Sequence, residues 1–473
     1  MKRNDYDEAN LAGFDMRGFT VASKTSAYDR DETDDADETA AAGLTGAGAA
    51  AATEPVAESS DAEPGSGVTD GDVAEDAADE ADRPGADRSE AEPDRKTKPK
   101  GLFKSAKKAV KVESPALFSP ISLRGVTARN RIWLPPMDTY SAVNRDGKPT
   151  PFHYQHYVSR AMGGFGLVCF EATAVTPDGR ISPADLGLWD DDQVAAFQWI
   201  VEGVKDAGAV AAIQLNHAGR KGSTGCFGVG YEGGSVPQEA GGWPTVAPSP
   251  IAFDDFAAPR ELTVDEIHGI VDAFRAAAVR AVNAGFDVIE IHAAHGYLLS
   301  EFLDPLTNVR TDDYGGSLEN RMRMLVEVVD AVRGAVAPSV PVFVRVSATD
   351  WAAGGWDLNQ TIETARVLRA HGVDLVDVST GGILPGVAIP AKPNYQVPFS
   401  EQVRLKALVP TTAVGLITKP KQADRIIRRG EADAVQIGRV ALRDPYWPLR
   451  AADKLGLKTS EAPYQPQYVR GAY

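Results

Sequence analysis

Residues 264–296 of the chain read VDEIHGIVDAFRAAAVRAVNAGFDVIEIHAAHG. The first part, 264–285, repeats apolar residues at the three-and-four spacing of an amphipathic helix. The second part, 286–296, is a short apolar run after a glycine turn, as is typical of a strand buried on both faces of a parallel sheet. The stretch therefore predicts a helix followed by a strand, with polar residues at the carboxyl end of the strand.

The same unit of strand, turn and helix recurs along the chain, with a second clear helix at 319–335. Eight such units in about 330 residues are typical of the α/β class and predict a (β/α)8 TIM barrel. A dinucleotide-binding sheet would instead need a G-x-G-x-x-G motif after an early strand, and we find none there. The eight predicted strands are 131–137, 166–175, 209–219, 286–296, 341–348, 374–382, 411–418 and 432–440.

Further segments complete the predicted barrel. Residues 117–132, LFSPISLRGVTARNRI, predict two short strands around a glycine turn. The loops after the third and fourth barrel strands, 220–262 and 297–318, are long. Long loops at the carboxyl face of such a barrel usually cover the active site, and we expect the same here.

The chain is predicted to divide into a disordered acidic arm, 1–112, and a barrel with a C-terminal tail, 113–473. Residues 29–94 contain 22 Asp and Glu against three Arg, and no aromatic residue. Such a segment cannot bury enough apolar surface to offset the entropy lost on ordering. It also carries the excess of negative charge behind the net charge of −17, so the barrel is close to neutral. Charge therefore identifies no partner, and we expect no nucleic acid.

A basic stretch, KTKPKGLFKSAKKAVK at 96–111, joins the arm to the barrel. We interpret it as a solvated linker. The alternative is a short amphipathic helix that makes a weak contact with a membrane or an anionic partner.

Two cysteines, Cys169 and Cys226, stand outside any C-x-x-C motif, which argues against an iron–sulfur cluster or a zinc ribbon. The first residues show no secretory signal, and no run of about 18 apolar residues exists. We therefore expect a cytoplasmic protein without stable membrane insertion.

Glycines lie at the ends of the sixth, seventh and eighth predicted strands, at Gly382, Gly415 and Gly438, and Arg439 follows Gly438. Glycines let backbone N–H groups approach a phosphate, and an arginine can pair with it. Gln214 and Arg345, with the backbone of the first strand, could then meet a flat hydrogen-bonding ring at the mouth. The alternative is that the glycines only make tight turns.

A second group, His292, His295 and Tyr297, follows the fourth strand. We interpret the histidines as a donor pair that binds a carbonyl or nitro oxygen, with Tyr297 as the proton source. One alternative is a zinc site with His217 as third ligand. The other is a pair of structural histidines in the core.

From about Leu117 onward the chain resembles the old yellow enzyme family of NADH:flavin oxidoreductases, and within it the bacterial subclass of YqjM and the xenobiotic reductases. The resemblance is carried by PFHYQHYVSRA, FEATAV, IQLNHAGRK, FDVIEIHAAHGYLLSEFLDP, NVRTDDYGGSLENR, FVRVSA and IGRVALRDP. It implies an FMN cofactor, NADPH or NADH as reductant, and reduction of the C=C bond of an enone-type substrate. Positions matched to cofactor contacts, or expected beside them, are Pro135, Pro136, Met137, Asp138, Ala172, Gln214, Arg345, Gly382, Gly415, Gly438 and Arg439.

The resemblance also implies substrate contacts from Tyr140, His292 and His295, and proton donation by Tyr297. In the subclass an arginine of the C-terminal tail reaches the active site of a neighbouring subunit. Arg470 matches that residue, which predicts a homodimer or homotetramer.

The chain departs from the family at Asp138, where the subclass usually has Cys and fungal members have Thr. An ionised Asp138 would oppose the negative charge of a reduced flavin, whereas a protonated one would not. Two other functions remain as alternatives at this point. One is demethylation of a small N-methyl amine, and the other is a non-catalytic scaffold that uses the acidic arm.

Overall fold

A computed structural model describes residues 114–226, 230–231 and 233–473. The predicted acidic arm, 1–112, and its basic linker, 96–111, lie outside the described residues. Within the described ranges, no helix is both long and apolar enough to cross a membrane.

Eight parallel strands close into a barrel, which confirms the predicted (β/α)8 fold. The strands of the described residues are β1 (Ile121–Leu123), β2 (Val126–Ala128), β3 (Ile132–Leu134), β4 (Leu167–Ala174), β5 (Leu186–Gly187), β6 (Val210–Asn216), β7 (Val246–Ala247), β8 (Arg260–Glu261), β9 (Val288–Ala293), β10 (Val342–Ser347), β11 (Leu375–Ser379), β12 (Thr411–Ala413) and β13 (Ala434–Gln436). Around the barrel the order is β3, β4, β6, β9, β10, β11, β12 and β13, and β13 pairs with β3 to close it. The predicted segments are longer than these strands because they include the turns at the carboxyl ends.

Helices surround the barrel, and the helices predicted at 264–285 and 319–335 are confirmed. The helices of the described residues are α1 (Pro151–Met162), α2 (Val194–Asp206), α3 (Val264–Asn283), α4 (Leu298–Leu303), α5 (Leu318–Ala335), α6 (Leu358–Ala370), α7 (Val397–Ala407), α8 (Pro420–Arg428), α9 (Arg439–Arg443) and α10 (Trp447–Lys454). Helix α3 begins with a capping box, in which Thr263 N donates to Glu266 Oε2 at 2.8 Å.

The amino-terminal end of the barrel is closed by the antiparallel hairpin of β1 and β2, the two strands predicted from residues 117–132. Ile121 and Leu123 of this hairpin pack on a buried apolar cluster inside the barrel. The cluster includes Trp133 and Phe343, whose rings stack with their centroids 5.9 Å apart. This end of the barrel is thus filled by apolar side chains.

The two long loops, 220–262 and 297–318, pack on each other at the opposite end. Arg310 donates to the carbonyl oxygens of Pro248 at 3.1 Å and Leu262 at 2.7 Å. The loops follow the carboxyl ends of β6 and β9, and their covering of an active site stays a prediction.

Candidate active site

The residues after β3 meet those of β10 and β13 at the barrel mouth. Arg345 Nη1 donates to the Pro136 carbonyl over a long 3.5 Å. A Cβ on Gly438 would lie 3.6 Å from both Pro135 Cγ and Met137 Sδ. The fold therefore brings together five predicted cofactor residues from three separate parts of the chain.

A layer of buried polar side chains crosses the barrel interior at this end. Gln214 Nε2 donates to Glu290 Oε1 at 2.8 Å, and Gln436 Nε2 donates to Asp377 Oδ2 at 2.9 Å. Arg345 Nε lies 3.1 Å from Asp377 Oδ2, at an angle that makes the contact ionic rather than a hydrogen bond. Burial and the Asp377 carboxylate raise the pKa of Glu290 to about 8, so this carboxyl group is protonated near neutral pH.

Gln214 and Arg345 were predicted from the sequence, whereas Glu290, Asp377 and Gln436 were not. A signal for them was present, because a charged or amide residue inside an otherwise apolar strand must find a partner when the strand is buried. The strands FDVIEIH and DLVDVS each carry such a carboxylate.

The predicted trio of His292, His295 and Tyr297 is brought together at the end of β9. The ring centroid of His292 lies 5.2 Å from that of His295 and 5.1 Å from that of Tyr297. His295 Nε2 lies 2.7 Å from Ser379 Oγ, and its backbone N–H donates to Ser347 Oγ at 2.9 Å. These contacts fix the His295 ring from the neighbouring strands β10 and β11.

Burial sets the protonation of this trio. It lowers the pKa of His292 and of His295 well below the usual value, so both imidazoles are neutral. Burial and the nearby Asp138 raise the pKa of Tyr297 well above its usual value, so the phenol keeps its proton. His292 Nδ1 is buried and has no hydrogen-bond partner among the described residues. A buried polar atom without a partner is costly, which points to a bound ligand at this place.

Tyr140 and Asp138 follow β3 at the rim of the mouth. Tyr140 has φ +51°, a strained conformation for a bulky residue, and belongs to the same apolar cluster as Tyr297 and Ala172. Asp138 Oδ1 accepts a hydrogen bond from Ala172 N at 3.1 Å. Burial and the neighbouring Asp185 carboxyl group raise the pKa of Asp138 well above its usual range, which favours the protonated form.

Glu171, in β4, anchors the residue between these two rim side chains and was not predicted. Its carboxylate accepts hydrogen bonds from Thr139 N and Thr139 Oγ1, both at 2.9 Å, and from Tyr157 Oη at 2.5 Å. Burial acts to raise the pKa of Glu171, but His153 and the hydrogen bonds outweigh it and lower that pKa below its usual value. An ionised Glu171 therefore holds the strained rim segment in place.

The predicted phosphate-binding residues have different surroundings. Gly415 has φ +118°, and a Cβ there would lie 3.2 Å from the Tyr395 ring. Gly382 lies against His295, where a Cβ would come within 2.6 Å of the His295 Cα atom. Arg439 begins α9 with an exposed side chain. Contacts of these residues with a phosphate stay predictions.

His217 has a local structural contact. Gly219 N donates to His217 Nδ1 at 3.2 Å, and burial lowers the pKa of His217 to about 4. In the part of the chain that the structure describes, no three His, Cys, Asp or Glu side chains form a group that could hold a metal ion, so the zinc alternative has no support there. Cys169 and Cys226 are buried and unbonded to each other.

The C-terminal tail lies on the surface. Arg470 is exposed on the 3-10 helix Pro466–Gly471. Tyr468 and Val469, beside it, are 44% and 45% exposed, which is high for large apolar side chains. The role of Arg470 in a partner subunit stays a prediction.

The residues at the mouth fit a flat, hydrogen-bonding cofactor. Gln214 and Arg345 offer fixed polar groups inside the barrel, and His292 Nδ1 is a buried atom in need of a partner. Gly438 lies at the end of β13 beside Pro135 and Met137, and Gly415 is buried against the Tyr395 ring at the end of β12. These fixed polar groups suit the ring of a flavin, and the binding of FMN stays a prediction.

Comparison with known proteins also indicates a flavin oxidoreductase. Residues 116–458 match the NADH:flavin oxidoreductase / NADH oxidase family. The chain is 47% identical over 344 residues to an NADPH dehydrogenase of Halalkalibacterium halodurans, a match that covers 73% of this chain and 96% of the relative.

Among solved structures, an old yellow enzyme homologue from Zymomonas mobilis superposes with a TM-score of 0.61 at 30% identity, covering 76% of this chain and 99% of that one. A 2-naphthoyl-CoA reductase superposes with a TM-score of 0.66 at 25% identity and covers 72% of this chain. This chain spans only 52% of the length of that reductase.

Proposed function

This chain belongs to the NADH:flavin oxidoreductase / NADH oxidase family, and we propose that it is an FMN-dependent ene-reductase. It would oxidise NADPH or NADH and reduce the C=C bond of an α,β-unsaturated carbonyl or nitro compound. Family membership makes the chain a flavin oxidoreductase, so the non-catalytic scaffold alternative is set aside. The observation that carries the substrate class is the pair of neutral imidazoles, His292 and His295, beside the protonated phenol of Tyr297.

When bound, FMN supplies hydride transfer between the nicotinamide and the substrate. Gln214 and Arg345 would hydrogen-bond its ring. The backbone of Gly415 and Gly438, with Arg439, would bind its phosphate. The full set of residues proposed to hold it is Pro135, Pro136, Met137, Asp138, Ala172, Gln214, Arg345, Gly382, Gly415, Gly438 and Arg439.

The histidine pair would orient and polarise the substrate. A neutral imidazole has one N–H, so His292 would donate one hydrogen bond to the carbonyl or nitro oxygen, and His295 would donate one from Nδ1 while its Nε2 accepts from Ser379 Oγ. Negative charge grows on that oxygen as hydride reaches the β-carbon. Donors fixed in a buried site stabilise such charge more strongly than water does.

Tyr297 would complete the reduction. Its Oη–H bond breaks and a C–H bond forms at the α-carbon, so the saturated product leaves with one hydride and one proton added. Since the raised pKa keeps Tyr297 protonated, the phenol carries the proton for this step at neutral pH. Tyr140, which packs on the same apolar cluster as Tyr297, would contact the substrate.

We also propose a homodimer or homotetramer in which Arg470 enters the active site of the partner. The exposed apolar residues beside Arg470 support an interface at the tail. Sedimentation of the wild type and of a chain truncated before Pro466 should show a loss of assembly together with a loss of activity. A monomeric wild type with full activity would contradict the proposal.

Two measurements test the function. Mass analysis of the released cofactor should find FMN, and anaerobic NADPH or NADH should bleach its absorbance, which an enone should then restore. A protein that binds only FAD, or no flavin after reconstitution, would refute the proposal. Bleaching by a small N-methyl amine without any nicotinamide would favour the demethylase alternative instead.

A further inference from the structure

Lys221, in the loop after β6, joins two other loops of the mouth. Its Nζ donates to the backbone carbonyl of His295 at 2.8 Å and to that of Gly382 at 3.2 Å. These carbonyls belong to the loops after β9 and β11. One ammonium group therefore links three strand ends, a role that was not predicted from the sequence.

The two carbonyls meet at a crowded place. His295 and Gly382 both have left-handed backbones, with φ +60° and +98°. A Cβ on Gly296 would come within 2.3 Å of the Gly382 carbonyl oxygen, so the loops touch backbone to backbone. For His295 the left-handed conformation is unfavourable and needs support from its surroundings. An ammonium between two carbonyl oxygens provides that support.

The same ammonium lies against aromatic rings. Lys221 Nζ is 4.8 Å from the ring centroid of Tyr297 and 4.8 Å from that of Phe253. A cation on the face of a phenol is attracted to the ring. The attraction grows when the phenol loses its proton, because the ring then carries a full negative charge.

We propose that Lys221 is a positioning residue that holds His295 in its left-handed conformation and stabilises the tyrosinate that forms when Tyr297 gives its proton to the α-carbon. The inference rests on the proposed function. In the step, the Tyr297 Oη–H electron pair stays on Oη, the new C–H bond takes the proton, and solvent later returns a proton to Oη. Lys221 keeps its own proton throughout.

Charged and titratable groups face Lys221 from each neighbouring element. They are Arg220 on its own loop, Glu301 on α4, Asp138 after β3, and His292, His295 and Tyr297 at β9. Burial, with Arg220, lowers the pKa of Lys221 to about 8, whereas burial raises the pKa of Glu301 to about 8. Enone reduction should therefore decline as the pH rises through about 8, where Lys221 loses its charge. Lys221→Arg distinguishes titration of Lys221 from titration of Glu301. Arginine keeps its charge, so the decline should move to higher pH if Lys221 causes it.

The deciding experiment compares two alkenes in holoenzyme variants. Reduction of 2-cyclohexenone needs the Tyr297 proton, whereas hydride addition to 1-nitrocyclohexene leaves a stable nitronate that does not. Lys221→Met should slow enone reoxidation of the reduced enzyme about tenfold more than nitroalkene reoxidation. In a Tyr297→Phe background the same substitution should add no further enone-specific loss. Lys205→Met, which removes an exposed lysine from α2, is the matched control and should leave both rates unchanged.

A second readout is independent of substrate. Hydrogen exchange of peptides covering 294–297 and 381–383 should become faster in Lys221→Met and stay unchanged in Lys205→Met. Equal loss on both alkenes, or unchanged exchange in these peptides, would overturn the proposal. A wild type that reduces neither alkene would instead refute the ene-reductase function, and the exchange data would still decide whether Lys221 holds the loops.

Discussion

The two ends of the barrel are built from the same eight strands and have opposite chemical character. At the amino end, the hairpin of β1 and β2 covers an apolar cluster that includes Trp133 and Phe343. At the carboxyl end, the buried side chains include His292, Glu290 and Arg345. The same strands thus contribute apolar side chains at the amino end of the barrel and ionisable side chains at the carboxyl end.

The difference shows where burial of side chains stabilises the fold and where it destabilises the fold. Burial of a side chain such as Phe343 stabilises the fold by about 1.5–3 kcal/mol. Burial of an ionisable group instead costs free energy unless the group is paired or changes its protonation. Shifted pKa values of His292, Glu290 and Tyr297 therefore make the carboxyl end the candidate site of the reaction.

The largest effect is expected for the histidine pair. Replacing His292 and His295 by alanine should reduce kcat/KM for enones by about 100- to 1000-fold per donor, because each fixed donor to a growing oxyanion is worth about 3 kcal/mol. The melting temperature should change little. The control is His371→Ala, a half-exposed histidine paired with Asp330 far from the mouth. Near-normal enone turnover in the double variant would contradict the proposal that the histidines at the carboxyl end take part in the reaction.

The opposite result is expected at the amino end. Trp133→Ala should lower the free energy of unfolding by about 3–5 kcal/mol through loss of buried contacts. The folded fraction should keep its kcat. Chemical denaturation and flavin-normalised turnover measure the two effects, with the 41% exposed Trp199 changed to alanine as control. A stable Trp133→Ala variant with reduced kcat would contradict the comparison.

A pH-dependent effect of up to about 4 kcal/mol is expected at Glu290, taking about 1.4 kcal/mol per pH unit. Its pKa is raised in the folded state, so the group contributes stability below the pKa of the unfolded chain and loses that contribution as the pH rises towards about 8. Glu290→Gln lacks this titration. The variant should therefore gain stability relative to the wild type between pH 5 and 8, measured by denaturation. A difference independent of pH would show that Glu290 is ionised in the fold.

The smallest effect is expected at Asp138. Because its raised pKa favours the protonated form, Asp138→Asn should change the flavin midpoint potential by less than about 10 mV. An ionised Asp138 about 5 Å away would instead depress the potential by roughly 70 mV, since its repulsion is about 3 kcal/mol at an effective dielectric near 20. Asp191→Asn, an exposed residue, serves as control. A flavin potential that is higher by roughly 70 mV in Asp138→Asn would show that Asp138 is ionised in the wild type.

Sequence alone predicted the barrel, its strands and the grouping of His292, His295 and Tyr297. The reason is that the repeating βα pattern is local, and parallel strands bring all their carboxyl ends to one mouth. Any polar residue at a strand end was therefore expected at the site, whatever its distance along the chain.

The protonation state of Asp138 and the contacts of Lys221 depended on the tertiary structure. Asp138 could have been ionised or protonated, and only its burial beside Asp185 favours the protonated form. The contacts of Lys221 with His295 and Gly382 join residues that are 74 and 161 positions apart. Such effects depend on distance and burial in space, because desolvation and Coulomb energies are set by all the atoms around a group rather than by its neighbours in the chain.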